Sequence, residues 1–206
     1  MREDPSIKLF MAARVGNTDD VKRLIPIADA TTQNNRGLRH AVSYGHTDCV
    51  KLLLPVSNLN DDIGYDHLIE KAIETNHLAC VQILLSAQNL PFDPHLSITH
   101  FLWRAVSWEK SDIVRFLIPL TLTKIATDER YTYKILQTSI LKGNEDIFNQ
   151  LLVFSNPQLA WDELHKQGHS AEECFLVVEH LARLQQHHNI SSAIETKGAI
   201  SSSRKL

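Results

Sequence analysis

Eleven histidines and three cysteines are the residues of this 206-residue chain with the chemistry to hold a metal or act as nucleophiles. His165 and His169 stand four apart, and His187 and His188 are adjacent. Zinc sites use such spacings, often together with paired cysteines. Here Gly168 interrupts the helix between the first two histidines, and no two cysteines stand at ligand spacing. Neither a metal nor another cofactor is expected. Cys49 and Cys80 occupy the same phase of two similar stretches, next to Val50 and Val81. With Cys174 they read as small core residues, their thiols reduced. The chain contains no Gly-rich phosphate loop, no GxSxG and no HExxH. An enzyme is therefore not expected. The alternative is a small enzyme or ligand receptor with a pocket at the C-terminal helices, beside Trp161 and His165.

The elements that would position any site come in copies. "AARVGNTDDVKRLIP" begins at Ala12, "AVSYGHTDCVKLLLP" at Ala41, "AIETNHLACVQILLS" at Ala72, "AVSWEKSDIVRFLIP" at Ala105 and "SILKGNEDIFNQLLV" at Ser139. Each opens on a small residue, which lets neighbouring helices approach. Four residues on stand Gly16, Gly45, Asn76 and Gly143, types that accept the left-handed conformation ending a helix. Glu109 occupies that place in the fourth copy, so a different turn is expected there. Asp19, Asp48 and Asp112 fall in the first turn of a second helix, where negative charge suits the helix dipole. Val50, Leu53 and Leu54 then follow i, i+3, i+4 spacing, one apolar face. Pro26, Pro55 and Pro119 are expected to end that second helix. Helices this short are marginal alone. Stacked side by side, each pair gains most of its stability from its neighbours.

Hydrophobic residues make up 43% and charged residues 22%, as in a globular protein. A net charge of −3 argues against a nucleic-acid partner. No apolar run approaches the ~20 residues that span a bilayer, so no membrane insertion is expected. "MREDPSIKLF" has acids where a signal peptide needs bases, and a cytoplasmic protein is expected.

The segment Arg36 to Leu54, "RGLRHAVSYGHTDCVKLLL", resembles the ankyrin repeat through Leu38, Ala41, Gly45, His46, Val50, Leu53 and Leu54. The resemblance covers residues 7–154. It implies an all-α, ankyrin-type helix–turn–helix solenoid of about five repeats with short or irregular loops. Arg36-Gly37 replaces the family's Thr-Pro, and Arg39 its His. The other copies read "IKLF", "HLIE", "HFLW" and "KILQ" there, so stacking should lean on apolar packing. His46 and His77 stand where the family uses histidine structurally. Segments 87–99 and 120–133 should form the longer projecting loops, with little regular strand.

The family binds proteins through a concave face lined by exposed positions of each first helix. That implies partner contacts by Arg14, His40, Tyr44, Lys71, Glu74, Arg104, Trp108 and Lys142. Arg14, Arg104 and Lys142 share this face with one acid, Glu74, and arginine with aromatics is the composition of binding hot spots. Trp108 packing against Trp103 as core is the competing expectation. Loop-tip residues Asp61, Asp62, Tyr65, Phe92, Asp93 and Arg130 would add contacts. The repeat ending "VKLLLPVSN" is similar in style to ankyrin proteins of intracellular bacteria, some of them exported effectors. The Ser-rich end with Leu206 resembles type IV secretion signals. Both imply a host protein as partner, met in a host cytosol.

Residues 155–190 read as a C-terminal helical cap or degenerate repeat, and 191–206 as a disordered tail. Asn156-Pro157 should open one helix and Gly168 end it. Ser170 and Glu173 have capping-box spacing. Phe175, Val178, Leu181 and Leu184 should form the apolar stripe of the next helix, with Glu172, Glu179, Arg183 and Gln186 outside.

Overall fold

A computed structural model describes residues 4–58, 64–87, 94–125, 129–152 and 155–186. They are helical, with no strand among them. The chain divides into two compact units, Met1–Ile125 and Ala126–Leu206. The expected array end at 154 lies inside the second.

In the first unit, short helices alternate: α1 (Pro5–Val15), α2 (Thr18–Leu24), α3 (Thr32–Ser43), α4 (Thr47–Leu53), α5 (Tyr65–Glu74), α6 (Leu78–Leu85), α7 (Pro94–Ser107) and α8 (Ser111–Ile125). Each odd helix packs on the next even one. The odd helices also pack side by side, α1 on α3, α3 on α5 and α5 on α7, as do α2, α4, α6 and α8. The result is a two-layer ladder. Its rungs are the repeated small and branched residues: Ala41, Ala72, Ala105, Val50, Val81 and Val114 are fully buried.

One turn recurs through the chain. The glycine-phase N–H reaches back three residues and the following N–H reaches back five, closing on the repeat's small residue: Asn17 to Ala12 (2.9 Å), His46 to Ala41 (2.9 Å), His77 to Ala72 (2.8 Å) and Lys110 to Ala105 (2.9 Å). This paired closure satisfies the last carbonyls of the helix. Glu109 makes the same turn at φ +56°, so the fourth copy does not depart as expected. The turn is fixed by the packing of helices on either side, and this overrides the penalty for a side chain in the left-handed region.

Pro26 and Pro55 follow the ends of α2 and α4, but Pro119 lies inside α8. There it forgoes one helical bond, while burial of Leu117, Ile118 and Thr121 holds the helix together across it. Segments 94–99, 120–125 and 129–133 are helical rather than projecting loops, because α7, α8 and α9 (Glu129–Lys142) extend into them.

The second unit contains α9, α10 (Glu145–Leu151), α11 (Pro157–Lys166) and α12 (175–186). α9 packs on both α10 and α11. Asn144 and Asn156 cap α10 and α11, accepting the N–H groups of Ile147 and Leu159 at 3.1 Å each. Ser170 and Glu173 form the reciprocal capping box (3.0 and 3.2 Å). The turn recurs at Asn144 to Ser139 (3.4 Å) and at His169 to Leu164 (3.1 Å), so α11 and α12 repeat the pattern in phase. The buried face of α12 is not the expected stripe. Leu176 and Val177 are buried while Phe175 and Leu184 are each 49% exposed. Cys174, in the preceding turn, is buried with them.

Candidate functional site

The candidate contacts of the first unit lie on the first helices of the pairs or at their C-terminal ends. Arg14, Tyr44 and Glu74 are exposed, and His40, Lys71, Arg104 and Trp108 are half-buried. Lys142 is exposed on α9 of the second unit.

Turn histidines tie one repeat to the next. The ring of His46 lies against Gly16 with Nε2 3.1 Å from the Arg14 carbonyl. His77 lies against Gly45 with Nε2 3.2 Å from the Ser43 carbonyl. A carbonyl only accepts, so each Nε2 carries the proton. Stacking therefore uses hydrogen bonds beside apolar contact, made from the turn rather than from the start of the first helix.

Above the first turns an aromatic column runs from Phe10 to His40 (ring centroids 5.1 Å), Tyr44 (6.0 Å) and His46 (6.2 Å). The guanidinium of Arg36 sits 3.9 Å over the Phe10 ring, a cation–π contact. Burial, then the charges of Arg36, Arg14 and Arg39, holds the His40 imidazolium below the usual histidine range. Beside the column a cavity of about 330 Å³ is lined by Phe10, Met11, Arg14, Asp29, Gln33 and Arg36 among others.

A second cluster joins α5 and α7. His100 Nε2 donates to Glu70 Oε1 at 2.7 Å, and Arg104 Nε stands 3.6 Å from the same oxygen. The Arg104 guanidinium lies 5.3 Å from the Trp103 ring and 5.2 Å from the Trp108 ring. Trp103 is 40% exposed, so the two indoles flank an arginine and do not form a core pair. Lys71 bonds Glu74 at 2.8 Å, an exposed pair worth only tenths of a kcal/mol.

Of the expected contacts, Arg14, His40 and Tyr44 belong to the first cluster and Arg104 and Trp108 to the second. Sequence reasoning missed Phe10, Arg36 and Arg39 in one and Glu70, His100 and Trp103 in the other. The four-residue spacing of Glu70 and Glu74, and of His100 and Arg104, is the signal that was available. Tyr65 is not a loop-tip contact. It opens α5, is 2% exposed, and donates to the Leu84 carbonyl at 2.8 Å. A phenol can be buried there because its hydroxyl has a partner, the Leu84 carbonyl, which also accepts the Ala87 N–H at 3.3 Å. Asp61, Asp62, Phe92 and Asp93 lie outside the described residues, as does the side chain of Arg130.

The thiols of Cys49, Cys80 and Cys174 are buried, and burial raises all three, Cys80 to about 11. Such thiols stay protonated near neutral pH and are poor nucleophiles. Among the described residues no group of three or more His, Cys, Asp or Glu is placed to hold a metal ion. His165 stacks on Trp161 (5.3 Å), and His169 bonds the capping Glu173 (3.2 Å). No helix of the described residues is long and apolar enough to cross a membrane.

The model of the family described as ankyrin repeats (3 copies) matches residues 9–98. Residues 9–98 are ankyrin repeats. Ankyrin repeats are generally protein–protein interaction modules and typically lack enzymatic activity. The stacked helix pairs within residues 9–98 are the ankyrin fold. Among solved structures the chain is similar to the ankyrin repeat domain of human ASB11, at 19% identity over 72% of this chain and 83% of that one, with a TM-score of 0.44. No curated protein matches the chain.

Proposed function

We propose that the chain binds a partner protein through the exposed side of its first helices and its loop tips. Arg14, His40, Tyr44, Lys71, Glu74, Arg104 and Trp108 supply contacts in the first unit, and Lys142 in the second. One observation carries this reading: Arg104 is held between Trp103 and Trp108 on an accessible face. Indole and guanidinium together are what binding hot spots are made of. Because the packed ladder already fixes these side chains, little entropy is lost on association. A specific partner would bury roughly 1,600 Å² in total. The helices within residues 155–186 serve as a cap, with Glu172, Glu179, Arg183 and Gln186 exposed as a capping face needs.

The test is Trp108→Ala. Affinity for a captured partner should fall by about 2 kcal/mol. The thermal midpoint should stay within a few degrees. If the midpoint collapses and capture follows it down, Trp108 belongs to the core and this part of the face is misassigned.

We further propose that the partner is a host protein, met after type IV export. The support is the likeness of "VKLLLPVSN" to repeats of ankyrin proteins of intracellular bacteria, some of them exported. A reporter fused to the full chain should then reach the cytosol of infected cells in a secretion-dependent way. Retention of the reporter in the bacterium would end the effector reading and leave the binding reading standing.

A further inference from the structure

Seven arginine side chains are described, and they fall into two sets. Arg23, Arg104, Arg115 and Arg183 each meet a carboxylate: Asp20 (2.7 Å), Glu70 (3.6 Å), Asp112 (3.2 Å) and Glu179 (2.6 Å). Arg14, Arg36 and Arg39 meet none among the described residues, although Arg14 and Arg36 line one cavity and Arg36 and Arg39 share Gln33. Their neighbours are neutral acceptors. Arg36 Nη1 donates to Gln33 Oε1 at 2.6 Å, and Arg39 Nη2 donates to the Gln33 carbonyl at 3.0 Å. Asp29 is the acid on the adjoining cavity wall. Its carboxylate is occupied by Thr31, whose N–H and hydroxyl donate to it at 2.9 and 2.7 Å.

The backbone here is strained. Gln33, Asn34 and Asn35 are consecutive non-glycine residues at φ between +54° and +56°. Each such residue costs on the order of 1–3 kcal/mol and persists only where its surroundings impose it. Two bonds impose it: Asn35 Nδ2 donates to the Asn58 carbonyl (2.6 Å) and the Asn58 N–H to Asn35 Oδ1 (2.9 Å). The clamped turn aims Gln33 at both guanidiniums. They are held in place without being neutralised.

On the reading that the first helices form the binding face, we infer that its N-terminal part, over α1 and α3, takes an acidic peptide segment of the partner protein. Guanidinium forks match carboxylates with two parallel hydrogen bonds, and the exposed Met11 on the cavity wall gives apolar contact for the peptide's other side chains. The charge pattern favours a short peptide over a nucleic acid. The next helix along the stack carries Asp66, Glu70 and Glu74, which would repel a phosphate backbone laid across the whole face.

The test pans a random short-peptide display library against the full chain. Enriched sequences should be acidic. A synthetic copy of one should bind the R14Q/R36Q/R39Q chain about thirtyfold more weakly than the natural one. Arg14 is exposed and makes no described side-chain bond, so Arg14→Gln alone should fold normally and cost about fivefold. Hydrogen-exchange protection by the peptide should fall on α1 and α3. A library yielding no binder, neutral or basic binders, or acidic binders held equally by the glutamine variants overturns the inference. So does displacement of the peptide by a single-stranded oligonucleotide that binds the same arginines more tightly. If any of these occurs while Trp108→Ala still cuts partner capture, the broader binding reading survives. Protection confined to the second helices would sink both.

Discussion

Leu53→Ala is expected to lower the unfolding free energy by about 2–5 kcal/mol, the range for a large aliphatic side chain truncated in a packed core. Leu53 is 1% exposed on α4. Its Cδ1 would sit 3.7 Å from a Cβ placed at Gly37, so it fills the space that glycine leaves on α3. α4 in turn packs between α2 and α6. In an array of this kind a repeat's stability is shared with its neighbours. The cavity left by Leu53 should therefore be felt across both interfaces, and little of it can be recovered by collapse. Urea unfolding of the natural and substituted chains measures the difference. A change below about 0.5 kcal/mol is what surface substitutions give. It would mean that Leu24, Leu53, Leu84 and Leu117 do not line the buried seam.

The seam was legible because its signal is periodic. The small residue, the turn residue and the branched pair recur together, and each is demanded by backbone closure or close packing. Departures come where tertiary context outweighs local preference. Pro119 should stop a helix, and Glu109 should refuse a left-handed turn. Both lie in the α7–α8 repeat, whose buried side chains hold the backbone regardless. Tyr65 looked like a loop residue because it follows Gly64, and its hydroxyl bond to Leu84 depends on a residue nineteen positions away. The candidate face was legible as positions but not as groups. Which acid meets Arg104 depends on how α5 and α7 pack side by side, and the choice of Glu70 over Glu74 is made there. The left-handed run at Gln33–Asn35 had no sequence signal beyond two asparagines, since its clamp comes from Asn58.

Gly45→Ala is expected to cost about 2–4 kcal/mol, for two separable reasons. The first is local. Gly45 sits at φ +73°, where a Cβ crowds the backbone and costs roughly 1–2 kcal/mol. The second acts between repeats. A Cβ at this position would lie 2.6 Å from His77 Nδ1 and 2.7 Å from Cε1. The imidazole must then withdraw, giving up its bond to the Ser43 carbonyl, worth about 1 kcal/mol. His77→Ala alone should lose that bond and some ring contact. In the double substitution the clash is gone, so the two costs should fall short of additive by about 0.5–1 kcal/mol or more. The chain already contains such a pairing one repeat further on. There the turn residue is Asn76, at φ +61°, and the residue in the histidine's phase is Lys110. Side-chain bulk at the turn and absence of the ring occur together. Gly45→Asn should for that reason be tolerated better beside His77→Lys than beside native His77, as thermal melts of the four chains would show. Strictly additive shifts would mean that the ring does not rest on the turn glycine, and the link between these repeats would then be apolar packing alone.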